Sequence, residues 1–486
     1  MALPERPSAE LPSRLSRMQG IISAAGYVPF RRLDRSEIAK TFGSGGGKGT
    51  RSVASYDEDT TTLAVEAARL ARRSAPDDTA ISALWFSTAN PAYLDKTNAS
   101  AIHAALRLDS QVSALDFGGA LRSGIGALRT ALDGNSPVLV VASDMRDGQP
   151  TSTDESQGGD GAAAVLVGAD AHGPVIAEYL GSATATDEFI ERWRAPGSRR
   201  SRAWEERFGE VKFAPLVEQA WNSALKQAEL SPDQVDRLII TGMHARAVRS
   251  IGGKLGASKA AMGDDLATTV GNTGTAHPAL LLTNALETAE PGQVIALVVL
   301  ADGAEVLLFR TTDALKSYRP KYAVAAQIAN GAPLTYGKFL SWRGTVTLEP
   351  PRRPEPERIS ASVSGRTEEW KYAFVGSRDH ESGELHMPPA RVSRVGDAVD
   401  DMVAAPMSEV EGTIALFTID RIAYSPSPPI TFAVVDFDGG GRLPVELTDV
   451  DVDGLAIGDR VEMTFRKLFT ADDIHNYFWK ARPVRS

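Results

Sequence analysis

The chain repeats a pattern that limits what it can fold into. Val138-Leu139-Val140-Val141-Ala142-Ser143-Asp144 is followed, after a loop, by Gly159-Asp160-Gly161-Ala162-Ala163-Ala164-Val165-Leu166-Val167-Gly168. Later, Val294-Ile295-Ala296-Leu297-Val298-Val299-Leu300 is followed by Asp302-Gly303-Ala304-Glu305-Val306-Leu307-Leu308. Strand, Asp-Gly-Ala and strand thus recur about 150 residues apart. Continuous apolar runs of this length read as buried strands. The repeat predicts two similar halves packed together.

A second stretch sets the chemistry. Leu115-Asp116-Phe117-Gly118-Gly119-Ala120-Leu121-Arg122-Ser123-Gly124 reads as a strand end, a tight turn and a helix start. Gly118 and Gly119 let the backbone turn sharply. The free N–H groups and positive dipole end of that helix point at residues 120–123. Enzymes often place a nucleophile there, because the dipole lowers a thiol's pKa. This chain presents Leu121, and it contains no cysteine. Three further points stand out. Residues 81–88 form an apolar strand that runs into Ala89-Asn90-Pro91-Ala92-Tyr93. Residues 235–243 form another that ends at His244. Gly271-Asn272-Thr273 opens an apolar helix after His277. The acidic trio Asp57-Glu58-Asp59 precedes a helix over 61–72 and reads as a cap rather than a catalytic cluster.

These anchors resemble the thiolase superfamily, on the branch holding 3-hydroxy-3-methylglutaryl-CoA synthase and ketoacyl synthase III. Asp116 matches that branch's Asp, and the catalytic Cys position, five residues on, falls on Leu121. His244 and Gly271-Asn272-Thr273 match its His and Gly-Asn-Thr motif, whereas its catalytic Glu position falls on Ala89 or Asn90. The resemblance covers residues 18–312 and implies an α/β fold of duplicated αβαβα layers and a homodimer. It also implies a substrate carried on coenzyme A or on a carrier protein, with CoA entering only as part of the substrate and no other cofactor.

Composition narrows the remainder. A net charge of −10 argues against general nucleic-acid binding. Without cysteine there is neither a disulfide nor a thiolate metal site, and no metal is expected. No apolar run reaches the roughly 18 residues of a membrane span. The N-terminus lacks a signal-peptide core, so a cytoplasmic protein is expected. Gly43-Ser44-Gly45-Gly46-Gly47-Lys48-Gly49-Thr50 fails the nucleotide-loop pattern, since Gly49 follows the lysine. It reads as a flexible loop, or as a lid that brings Lys48 and Arg51 to a CoA phosphate. Arg122, Arg246 and Arg249 join them as candidate substrate-binding residues. The arginine-rich 191–207 stretch reads as a solvated segment or a phosphate-attracting rim.

The last third is different. Strands are expected over 411–423, 430–438, 442–447, 460–469 and 477–483, with Gly439-Gly440-Gly441 as a hairpin turn. Five such strands fit an OB barrel. They resemble the OB domains that follow a zinc ribbon in acyl-CoA proteins. Here the ribbon segment keeps only His380 and His386 as imidazoles, too few for a tetrahedral zinc site. The expected organisation is a disordered 1–17, halves at 18–172 and 173–315, and a linker at 316–375. A degenerate ribbon at 376–400 and a barrel at 401–486 follow, the barrel also offering a surface for a partner enzyme.

With no thiol at residue 121, acyl transfer through an acyl-enzyme has no chemical basis. The leading expectation is retro-aldol cleavage of a β-hydroxyacyl-CoA. His244 and Asn272 would stabilise an enolate and face a cavity beneath Leu121, with Tyr93 or His277 as the base. The alternatives are a synthase-like acyltransferase or condensing enzyme and a non-catalytic acyl-CoA-binding scaffold.

Overall fold

A computed structural model describes residues 18–77 and 79–485; the segment expected to be disordered, 1–17, lies outside them. The repeat is realised as two matching sheet halves. On one side the order is Gln19–Tyr27, Asp160–Ala169, Val138–Met145, Ala83–Thr88, Ser113–Gly118. On the other it is Ala177–Thr186, Gly303–Thr311, Val294–Leu300, Arg237–Gly242. Each half carries an antiparallel hairpin whose outer strand pairs in parallel with the next. The halves join where Gly20 and Ile21 pair with Glu178 and Ala177, so hydrogen bonding runs through nine strands. Gly20 is required at that seam: a Cβ there would lie 2.1 Å from the Ala177 carbonyl oxygen.

Alternate residues of the strands face different cores, which explains why the runs are apolar throughout. Ile21, Val140, Val165, Leu297 and Leu307 pack with Ile125 and Leu128 of the Leu121–Asp133 helix and Leu281 of the His277–Glu287 helix. These two helices occupy the layer between the halves. On the outer side of the first half, Ile22, Leu84, Val141 and Leu166 pack with Leu63 and Ala67 of the Thr60–Arg73 helix. On the outer side of the second, Ala296, Val298 and Leu308 pack with Val217, Trp221 and Ala224 of the Glu206–Gln227 helix. The result is a thiolase-like α/β arrangement.

The C-terminal strands Gly412–Asp420, Ile430–Phe437, Arg442–Leu447, Arg460–Ala471 and Ile474–Pro483 close into an OB barrel. All three glycines of the 439–441 turn have positive φ (76°, 108° and 88°), the freedom the hairpin requires. Before the barrel, Val375–Asp379, Leu385–His386 and Met402–Pro406 form a small antiparallel sheet. Its turn is held by the Asp379 carboxylate, which accepts from Ser382 Oγ at 2.7 Å and Glu381 N at 2.9 Å. His386 Nε2 accepts from Arg394 N at 3.1 Å. Among the described residues no group of three or more His, Asp or Glu side chains is arranged to hold a metal ion.

The acidic trio does more than cap. Asp59 is the N-cap of the Thr60–Arg73 helix, in a reciprocal capping box with Thr62. Asp57 and Glu58 instead hold the barrel. Arg466, fully buried, lies 3.0 Å from Glu58 and 2.8 Å from Asp449, and Lys480 lies 3.0 Å from Asp57. Further along the helix, Glu66 pairs with Arg482 at 3.3 Å and with Arg69 at 2.7 Å. The barrel is therefore docked through buried, mutually compensated charges, continuous with the apolar core around Trp479 and Phe465.

Candidate active site

The Ser113–Gly118 strand runs through Gly119, at φ 93°, into the Leu121–Asp133 helix. Ala120 is the N-cap and has no side chain to cap with. Leu121 is the first helical residue and only 9% exposed, buried in the central core. Asp116 is spent locally, its carboxylate accepting from Asn98 N at 2.7 Å and Ala99 N at 2.8 Å. The helix lies tight against the Asn272 loop at Gly124, where a Cβ would meet Thr275 Cγ2 at 2.8 Å.

Asp144, fully buried, ties three strand-end segments together. One carboxylate oxygen accepts from Thr88 Oγ1 at 2.9 Å and Ala89 N at 2.7 Å, and the other from Thr275 N at 2.7 Å. Asn272 ties its loop to the strand that leads to His244: Nδ2 donates to the Gly242 carbonyl and Oδ1 accepts from Gly274 N, both at 2.9 Å. Two residues beyond Gly242, His244 is the N-cap of the Ala245–Gly252 helix, with Nδ1 accepting from Ala247 N at 3.0 Å. A ring nitrogen that accepts cannot carry the proton, so the neutral imidazole is the Nε2–H tautomer. His244 thus lies just past a strand end that Asn272 holds from a neighbouring loop, the place where α/β sheets build sites.

Other expected residues are placed elsewhere. Tyr93 Oη accepts from the His475 amide at 2.8 Å and its ring packs on that imidazole, so it belongs to the barrel contact. His277 is buried against Thr273, and burial holds its imidazole down to about 4, neutral at physiological pH. Arg51 has no exposure and is bound by the Glu155 and Arg146 carbonyls and Asp160, so the lid reading fails for it. Arg122 is largely committed to protein partners. It donates to the carbonyls of Ala301 and Asp302 and to Thr184 and Thr186, and pairs with Glu305 at 3.1 Å, stapling the halves. Arg246 pairs with Glu210 at 3.0 Å; Lys48 and Arg249 are exposed.

The arginine-rich stretch is largely exposed, as a solvated segment would be, but several of its arginines are tied to acidic and carbonyl partners. Arg192–Trp193 and Arg202–Ala203 pair as a short hairpin. Arg192 binds Asp154 in a two-pronged pair at 2.8 and 2.7 Å, and Arg199 binds Asp147. Arg194 donates to the Ala89 carbonyl and to Asn90 Oδ1. The hairpin is strapped over the strand end where the synthase branch would carry its Glu. Behind the Leu121 turn is a small apolar cavity between Ile125, Leu128, Val140, Ala163, Thr275 and Pro278. Leu121, His244 and Asn272 do not line it. Asp144 and Arg194 carry no motif; only the position of Asp144 at the end of an apolar strand marks it.

Comparison with known proteins agrees with this architecture. The model for the 3-oxoacyl-[acyl-carrier-protein] synthase III C terminal matches residues 225–307, and that for the ChsH2 C-terminal OB-fold domain matches 404–466. A hydroxymethylglutaryl-CoA synthase of Methanopyrus kandleri is 27% identical over 341 residues, covering 67% of this chain and 97% of that one. Among solved structures, PksG, an HMG-CoA synthase from Bacillus subtilis, superposes with TM-score 0.59 at 18% identity, covering 68% of this chain and 92% of that one. The 3-oxoacyl-[acyl-carrier-protein] synthase III of Aquifex aeolicus gives 0.51 at 20% identity, covering 60% and 99%. The chain has a thiolase-like fold. It resembles the hydroxymethylglutaryl-CoA synthase and ketoacyl synthase III branch, fused to a C-terminal OB-fold domain and lacking the cysteine nucleophile.

Proposed function

We propose that the protein carries out aldol-type carbon–carbon chemistry on an acyl thioester without forming an acyl-enzyme. The observation that carries this reading is Leu121 at the first position of the nucleophile helix, in a chain with no cysteine. Aldol addition needs no nucleophile from the protein. A proton leaves the carbon next to the thioester, the enolate attacks a ketone or aldehyde, and the thioester survives in the β-hydroxyacyl product. A thiolase-type transfer instead breaks a thioester by covalent attack, for which a leucine has no group. The similarity to hydroxymethylglutaryl-CoA synthases favours the condensing direction. Retro-aldol cleavage is the same path reversed.

In this reading His244 donates its Nε2–H to the thioester oxygen as negative charge develops, a type of contact worth about 3 kcal/mol. Asn272 has its carbonyl and one amide proton committed to backbone, and holds the His244 strand end in place. Arg249, exposed on the helix that His244 caps, and the exposed Lys48 are the candidates left for a CoA or carrier phosphate. The test is to mix acetyl-CoA with acetoacetyl-CoA, and separately to supply β-hydroxyacyl-CoAs of several chain lengths, following products by mass spectrometry. Formation or cleavage of a β-hydroxyacyl-CoA supports the reading; no change in any mixture overturns it. The absence of any thiol also suits a second reading, a non-catalytic thioester-binding scaffold. In that case His244→Ala leaves function unchanged.

A further inference from the structure

The aldol reading leaves its base unnamed, and the strapped hairpin supplies one. Glu191 enters the Arg192–Trp193 strand, and its carbonyl accepts from Trp204 N at 2.7 Å, which closes the hairpin. Its carboxylate turns back toward His244. Both groups converge on Gly209 of the Glu206–Gln227 helix. A Cβ at Gly209 would lie 2.8 Å from His244 Nε2 and 3.3 Å from Glu191 Oε2. Glycine at this position lets the helix backbone pass close to both. Since Nδ1 of His244 accepts from Ala247, it is the proton-bearing Nε2 side of the ring that faces this corner.

We propose that Glu191 is the general base of the site, paired with His244 Nε2–H as the oxyanion donor. The carboxylate takes the proton from the carbon next to the thioester. The C–H electron pair becomes the enolate, whose oxygen accepts from Nε2–H. After the enolate carbon attacks the ketone or aldehyde, the new alkoxide takes the proton back from the Glu191 carboxyl. No electrons are gained or lost overall. In the cleavage direction the same carboxylate removes the β-hydroxyl proton. Glu191 is well chosen for this work. Burial raises its pKa above the usual carboxylate value, while His244 and Arg192 pull it down and Asp302 pushes it up. A base moved toward neutrality is the more effective one. Arg194 of the same hairpin grips Ala89 and Asn90, so the hairpin brings a carboxylate to a site whose strand end has none.

The catalytic role rests on the aldol reading, so the test separates the two. The full-length protein is incubated with acetyl-CoA or propionyl-CoA in D2O, and deuterium entering the α-carbon is followed by mass spectrometry. Wild type exchanges; Glu191→Gln loses about 100-fold or more of the rate, and Glu191→Asp recovers part of it. The fall in exchange rate as pH drops, present in wild type, is absent from what remains in Glu191→Gln. Exchange in Glu191→Gln at the wild-type rate overturns the proposal and leaves the aldol reading standing. No exchange in wild type overturns both. A second measurement needs no substrate. In protein labelled with 15N-histidine, the Nε2 resonance of His244, identified by its loss in His244→Asn, moves in Glu191→Gln while the melting temperature holds. An unmoved resonance overturns the pairing.

Discussion

Arg466 and Glu58 meet at 3.0 Å with both side chains almost wholly out of solvent, 408 positions apart in the chain (466 − 58). This pair, with Lys480–Asp57 and Arg482–Glu66, couples the OB barrel to the helix that backs the first half of the central sheet. Removing one partner strands a buried charge. Arg466→Met should cost about 3–5 kcal/mol in chemical denaturation, the range for a broken buried pair. A loss under 1 kcal/mol would show that water reaches the junction.

The same junction sets the acid response. Burial alone would raise Glu66, but the guanidiniums of Arg69 and Arg482 outweigh it and bring the carboxyl down to about 2. Burial likewise opposes, and Arg482 and Lys321 win, at Glu462, also about 2. A depressed carboxylate contributes stability that is fully present above its unfolded pKa and is lost as pH falls through the folded one. Glu58 at this junction, which burial raises to about 7, costs stability as pH rises from about 4.5 to about 7, whereas the two depressed carboxyls should make stability fall as pH drops from about 4.5 to about 2. Urea midpoints across that window check this; in Arg482→Gln the fall should begin at higher pH.

Leu121→Cys restores a thiol at an uncapped helix start. The dipole and unpaired N–H groups there should depress its pKa. Because residue 121 is buried, the thiol's ionisation and not its alkylation rate is the readout: thiolate ultraviolet absorbance followed against pH should show a pKa below that of an ordinary cysteine. A pKa at or above the ordinary value would show that the turn no longer offers an anion site.

Ser113–Gly118 is the last strand of the nine-strand sheet, with Leu115 half exposed. An unpaired edge invites a second copy, and a homodimer formed there is expected. Sedimentation of the wild-type chain should give twice the chain mass, and Leu115→Pro should give a monomer. A wild-type monomer at micromolar concentration would contradict this.

Much of the fold could be read from order and period. The doubled hairpin was visible because both copies keep an Asp-Gly-Ala turn between apolar runs, and the barrel strands because they alternate between turn residues. The Leu121 turn and His244 stood out through local signals, a glycine pair and a strand end. The docking of the barrel did not. Asp57 and Glu58 look like helix-capping acids, and nothing local marks their partners, Lys480 and Arg466. Arg51 and Arg122 look like surface cations, yet the first is enclosed by Asp160 and backbone carbonyls and the second staples the halves. Tyr93 looked like a site residue because it follows a strand end; its hydroxyl is taken by His475, far along the sequence. Glu191 and Arg194 were hidden in an arginine-rich run whose composition suggests solvent.

The central claim is that thioester chemistry proceeds here with no covalent link to the protein. The most direct test is intact-mass measurement of the full chain during turnover of acetyl-CoA with acetoacetyl-CoA, or of a β-hydroxyacyl-CoA. The account predicts that carbon–carbon products change while the mass of the protein does not. A protein heavier by an acyl group, formed at a rate that keeps pace with product, would contradict it.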